Sequence, residues 1–266
     1  MRNVTPTVKI LIVINAALLL LTHLLERTGV DLVRYLGLHY PASEDFMPHQ
    51  FVTHLFMHGG WAHLFFNMYA LWIFGSVLEQ VWGQKRFLIY YFVTGLGAAA
   101  LHTFVNWVEI SKVQQAAAGT LNTLTPDTFM AFINDYFLGK VNPDALDQFV
   151  SRWEAASSSP ALLAQAEDIV HSLTNSLMNV PTVGASGAVF GVLLAFGMLF
   201  PNTQLMLLFP PIPVKAKWLV IIYGAIELAL GFYNPGSSVA HFAHVGGMIF
   251  GFFLIRYWQK NARNFY

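Results

Sequence analysis

Gly184-Ala185-Ser186-Gly187-Ala188-Val189-Phe190-Gly191-Val192-Leu193-Leu194-Ala195-Phe196-Gly197-Met198-Leu199-Phe200 contains no charged side chain and carries one hydroxyl at its head. It lies inside a longer apolar stretch, Val180 to Phe209. A bilayer core takes roughly 20 apolar residues at about 1.5 Å rise each, so this stretch is long enough to span it. Five further runs work outward from it: Ile10–Leu25, Trp61 to about 82, Phe87–Val108, Trp218–Tyr233 and Val239 to about 257. The composition agrees. Of 266 residues, 56% are hydrophobic and only 11% are charged, with a mean hydropathy of +0.53. Soluble domains carry about a quarter charged residues. The reading is an all-α polytopic membrane protein of six transmembrane helices, 10–25, 61–82, 87–108, 180–209, 218–233 and 239–257, within one domain of residues 1–266.

Fourteen basic residues balance fourteen acidic ones and there is no cysteine. The balance excludes the basic footprint of a nucleic-acid binder, and the missing thiols exclude a disulfide scaffold, a zinc ribbon and a thiol enzyme. The distribution is uneven. Nine of the fourteen basic residues fall in the amino terminus, the 2–3 and 4–5 loops and the carboxyl tail. By the positive-inside rule those segments are cytoplasmic, so both termini are expected there and spans 2, 4 and 6 enter from the outer face. Twelve of the fourteen acids are expected outside.

The 3–4 connection, 109–179, is too polar to span but is patterned for helix. Thr125-Pro126, Asn142-Pro143 and Ser159-Pro160 read as helix starts. Phe129, Phe132, Ile133, Tyr136 and Phe137 form one apolar face. Leu146, Phe149, Val150 and Trp153 form a second, and Leu162, Ala166, Ile169, Leu173 and Leu177 a third. The expectation is an extramembrane helical insert covering the spans or lying in the outer headgroup region.

Polar groups in the hydrocarbon are costly and point to function. His63 and Asn67 lie in the first turns of span 2, Ser186 at the start of span 4, and His241 and His244 at the start of span 6. All three helices enter from the same side, so these residues share one layer. A serine needs an adjacent base to become a nucleophile, and neutral histidine is the usual one near pH 7. His63 and Asn67, spaced i, i+4, leave one helix face and can both donate to an oxyanion, beside the free N–H groups of a helix start at Ser186. Gly187 and Gly191 in span 4, with Gly247 and Gly251 in span 6, form two small-xxx-small faces that let these helices approach closely.

His63-Leu-Phe-Phe-Asn67, Gly184-Ala-Ser186-Gly187 and Ala243-His244-Val-Gly-Gly247-Met-Ile-Phe-Gly251 together resemble the rhomboid family of intramembrane serine proteases. The motifs stand in family order, on the helices a rhomboid-like bundle places them. The resemblance implies Ser186 as nucleophile, His244 as general base and acid, and His63, Asn67 and the Ser186 N–H as oxyanion donors. It also implies hydrolysis of peptide bonds in or near transmembrane segments of membrane-protein substrates in a lipid bilayer, and the expected location is the bacterial cell (inner) membrane. No metal, cofactor or nucleic acid is implied, and the oligomeric state is left open. The implied dyad has no carboxylate, and spans 4 and 6 offer none in their outer layers. Glu227, the acid inside span 5, reads as a structural hydrogen-bonding group. Three departures from the family pattern stand out, the first being the long insert between the third and fourth transmembrane helices in place of a short loop. His49-Gln50 occupies the place of a Trp-Arg pair in the first outer loop, and Phe190 that of a tyrosine stacked on the base.

Two other functions fit parts of the chain. A catalytically silent rhomboid-like protein would bind membrane helices, but that reading expects a lost serine or histidine. A small-solute transporter expects internal repeats or several charges near the midplane. His54 and His58, spaced i, i+4, lack the HExxH context of a metal pair. The 5–6 loop, Tyr233 to Ser238, has the Asn-Pro-Gly of a mobile lid.

Overall fold

The computed structural model describes residues 4–206, 211–233 and 239–261. Helix α1 spans Pro6–Glu26, with proline where a missing N–H costs nothing. The first-turn N–H groups of Thr7 and Val8 donate to the Glu79 carboxylate, each at 3.0 Å. Glu79 thus caps the start of α1, where the helix dipole favours an anion. A short helix α2 (Leu32–Leu36) is capped by Asp31, and α3 (Gln50–Thr53) runs into a 3₁₀ turn, His54–Phe56. Helix α4 (Trp61–Ala70) passes through a π-helical turn, Leu71–Gly75, into α5 (Ser76–Asn122).

Gly83 breaks α5 with φ 79° and ψ 165°, a left-handed backbone that glycine adopts without a Cβ penalty. The helix after that break continues beyond residue 108 to Asn122, past the expected start of the insert. Ile110, Val113 and Ala117, at helical spacing and all buried, carry it onward. Helices α6 (Pro126–Tyr136), α7 (Pro143–Ala155) and α8 (Pro160–Ser176) follow. Thr125 forms a capping box with Thr128, and the Asn142 side chain accepts from two first-turn N–H groups.

The fourth apolar run is helical over a shorter stretch than 180–209. Helix α9 is Ser186–Leu199, 14 residues and about 21 Å long. Before it the chain is extended, because Thr182 pairs with Leu38 and Gly184 N–H donates to the His54 carbonyl at 2.9 Å. After it, β1 (Gln204–Met206) pairs antiparallel with β2 (Pro213–Lys215). Helices α10 (Ala216–Tyr233) and α11 (His241–Asn261) complete the fold. The expected lid lies, beyond Tyr233, outside the described residues.

The chain divides into two compact units. The first is drawn from residues 1–41, 45–104 and 181–266, the second from 42–44 and 105–180. In the first, Leu71, Leu78, Phe87, Tyr90, Tyr91, Ala188 and Val192 form a buried core. Lipid is as apolar as these side chains, so close packing rather than water exclusion holds such helices together. In the second, the apolar faces of α6, α7 and α8 meet one another and Val113 and Ala117 of α5. Phe129 and Trp153 are 0% and 1% exposed, and burying a Phe-sized side chain contributes about 2 kcal/mol. The insert therefore satisfies its apolar faces internally.

Among the described residues, Pro6–Glu26, Trp61–Asn122 and Ala216–Tyr233 are long and apolar enough to cross a membrane. The second of these contains the break at Gly83.

Candidate active site

The layer is built on the first unit. The extended segment before α9 is held on both sides, by Leu38 and by the His54 carbonyl. Gly184 has φ 130°, and a Cβ there would stand 2.8 Å from His63 Cε1, 2.9 Å from His63 Nε2 and 3.6 Å from Ser186 Oγ. Only glycine fits. The turn delivers Ser186 as the first residue of α9, where the leading N–H groups precede the helical ladder that opens with Val189 N to Ala185 O.

Helices α9 and α11 touch at their small residues. A Cβ on Gly247 would overlap the Gly187 carbonyl, and one on Gly187 would overlap Ala98. At that approach, Ser186 Oγ and His244 Nε2 come to 2.8 Å, hydrogen-bonding distance. Phe190, one turn along α9, stacks on the His244 ring with centroids 4.2 Å apart and planes at 6°. The departure from tyrosine keeps the stacking.

On the facing helix, His63 Nδ1 accepts from Gly59 N–H at 3.4 Å, leaving Nε2 toward the Gly184 side. Asn67 is 6% exposed, and its amide donates to the His63 carbonyl at 2.9 Å. One amide proton is thus engaged and the other is free by valence. His58 packs edge-on against His63 at 5.0 Å.

Gln50, 0% exposed, anchors the first loop through its side-chain amide. Its Oε1 accepts from His39 and Met47 N–H groups, at 3.2 and 3.1 Å, and its Nε2 donates to the Asp45 carbonyl at 2.9 Å. Arg34 pairs with Asp45 at 2.7 Å, which raises the guanidinium pKa further.

Burial lowers the pKa of His54 from 6.5 to about 4, and burial with the nearby His63 does the same to His58. Unfolding would let both rings take up protons. Stability is therefore expected to fall as pH drops below 6.5 and to level off near 4, by about 3 kcal/mol per ring. Above pH 6.5 the rings are neutral in both states and contribute no slope. Thermal unfolding at pH 7.5 and 5 checks this, and His58→Leu should flatten part of the difference.

Glu227 hydrogen-bonds a neighbouring helix, as expected of the acid inside span 5, and its partner lies at the site. Its Oε2 lies 2.6 Å from His241 Nδ1, in a hydrogen bond, and 2.8 Å from His244 Nδ1. The second contact is at ion-pair distance without in-line hydrogen-bond geometry. His241 thus binds the carboxylate, while His244 is the histidine that meets Ser186. Glu227, His241 and His244 also bring three ligand-type atoms within 4.8 Å of one another, and could hold a metal ion.

A profile of the Rhomboid domain matches residues 45–119 and 161–260. Rhomboid-like protein 11, chloroplastic, of Arabidopsis thaliana is 32% identical over 113 residues, 42% of this chain and 37% of that protein. Rhomboid protease AarA of Providencia stuartii is 23% identical over 154 residues, 53% of this chain and 52% of that protein. Rhomboid protease GlpG of Haemophilus influenzae is 30% identical over 96 residues, 35% of this chain and 50% of that protein. The chain thus spans about a third to a half of the length of these relatives.

Proposed function

This chain belongs to the rhomboid family of membrane proteins, and from that premise we propose that it is an intramembrane serine endopeptidase, cutting peptide bonds in or near transmembrane segments of other membrane proteins. The observation that carries this reading is the 2.8 Å contact between Ser186 Oγ and His244 Nε2 at the head of two closely packed apolar helices. His244 Nε2 accepts the hydroxyl proton as Oγ attacks the scissile carbonyl carbon. The oxyanion that forms faces the Ser186 N–H, His63 and Asn67. His244 then gives its proton to the leaving amine, and water hydrolyses the acyl-enzyme by the reverse transfers. A peptide bond must be extended to present its carbonyl, so a substrate helix that unwinds easily is favoured. The excess of basic residues in the even-numbered loops and both termini supports cytoplasmic termini, with the site near the outer face.

Labelling by a fluorophosphonate probe tests the reading, because only an activated serine reacts. Purified protein should be labelled and should cleave a transmembrane substrate, and Ser186→Ala should do neither. A wild type that lacks both activities removes the proposal. For Asn67→Ala, kcat is expected to fall by about 10²–10³ with the label still acquired, slowly. An unchanged kcat would take Asn67 out of the oxyanion site.

A further inference from the structure

We propose that Glu227 is a positioning residue of this site, a third member whose carboxylate offsets the charge His244 acquires when it takes the Ser186 proton. The inference rests on the protease reading of Ser186 and His244. The family pattern implies two residues, and the sequence places no acid on either of the helices that carry them. Glu227 comes from a third helix, α10, and brings its Oε2 to 2.8 Å from His244 Nδ1. The other ring nitrogen, Nε2, faces Ser186 Oγ. The base is thereby bracketed along its ring by nucleophile and carboxylate, and Phe190 covers one face.

The burial argues against a bystander. The Glu227 side chain is 12% exposed, beside imidazoles at 8% and 10%. An acid in an apolar layer is costly unless partnered. Its hydrogen bond runs to His241, whose Nδ1 sits 2.6 Å from the same oxygen that faces His244. That bond fixes the carboxylate, and the contact to His244 is electrostatic, needing proximity rather than in-line geometry. Before attack, the carboxylate faces a neutral ring. After proton transfer it faces an imidazolium, so the attraction strengthens as the tetrahedral intermediate forms and lowers the barrier. The other ionisable groups near His244 are histidines, His241 on its own helix, His63 on α4 and His102 on α5. Ser186 and Phe190 of α9 bring no charge. Among the described residues that face the base, Glu227 is therefore the one that supplies negative charge.

Glu227→Gln keeps shape and an acceptor oxygen but removes the charge. With purified protein and a transmembrane substrate, kcat is expected to fall about 10²-fold while KM stays within about twofold, the fluorophosphonate labelling rate falling in step. Glu227→Asp, which keeps the charge one methylene further back, should recover part of the loss. Glu227→Met is a second charge-free variant, suited to an apolar layer, and should match Gln if Gln does not accumulate. A charge-free variant with kcat within threefold of wild type, or with its loss confined to KM, overturns the proposal. So does wild-type activity abolished by a chelator and restored by a divalent metal, which would make the cluster a metal centre. Wild-type protein without Ser186-dependent cleavage or labelling defeats the protease reading itself. An active wild type with an unimpaired Gln variant defeats only the role of Glu227.

Discussion

His244→Ala is expected to lower kcat by at least about 10⁴, to a rate barely above background, with the protein still folded. Ser186 Oγ meets the imidazole at 2.8 Å, and an unassisted serine hydroxyl is almost wholly protonated at pH 7. Removing the ring takes away the acceptor for attack and the donor for the leaving amine, two steps at once. His244 and Ser186 act as a unit, so the double variant should be little slower than either single one. Single-turnover cleavage and probe labelling, read beside thermal unfolding, separate lost chemistry from lost fold. His241→Ala should be milder, because that ring touches Glu227 rather than Ser186. A His241 variant as slow as the His244 variant would reverse the assignment of the base.

Among the described glycines, Gly247→Ala is expected to be the most damaging added methyl. The added Cβ would overlap the backbone carbonyl of Gly187, and a helix carbonyl cannot rotate out of the way as a flexible side chain can. Helices α9 and α11 must separate, at a cost of about 3 kcal/mol by the scale of overpacked cores. Because Ser186 stands beside Gly187 and His244 three residues before Gly247, separation also stretches the 2.8 Å contact. Thermal unfolding in detergent is expected to show the stability loss, and cleavage a fall of tenfold or more. Gly119→Ala is the control, since a Cβ there meets nothing within 4 Å. Equal behaviour of the two variants would show that the close approach of α9 and α11 is not needed.

The sequence by itself determined the lipid surroundings and the helical class, and it nominated the polar layer. Apolar runs of this length have one stable setting, and loop charge leads to the expectation that a serine, an asparagine and histidines at the heads of alternate helices share a depth. Ser186, His244, His63 and Asn67 were legible as candidates because each sits in a motif with local spacing. The starts of the insert helices were legible for the same local reason, a capping residue followed by proline. The late start of the helix in the fourth apolar run was not, because hydropathy does not register that Thr182 pairs with Leu38 or that Gly184 takes φ 130°. The partners of Glu79 and Glu227 were not legible for a related reason. Each bonds a partner on a different helix, α1 for Glu79 and α11 for Glu227, and helical periodicity describes one helix at a time. Only tertiary packing, with Gly187 against Gly247 and α10 beside α11, decided which acid stands beside which histidine.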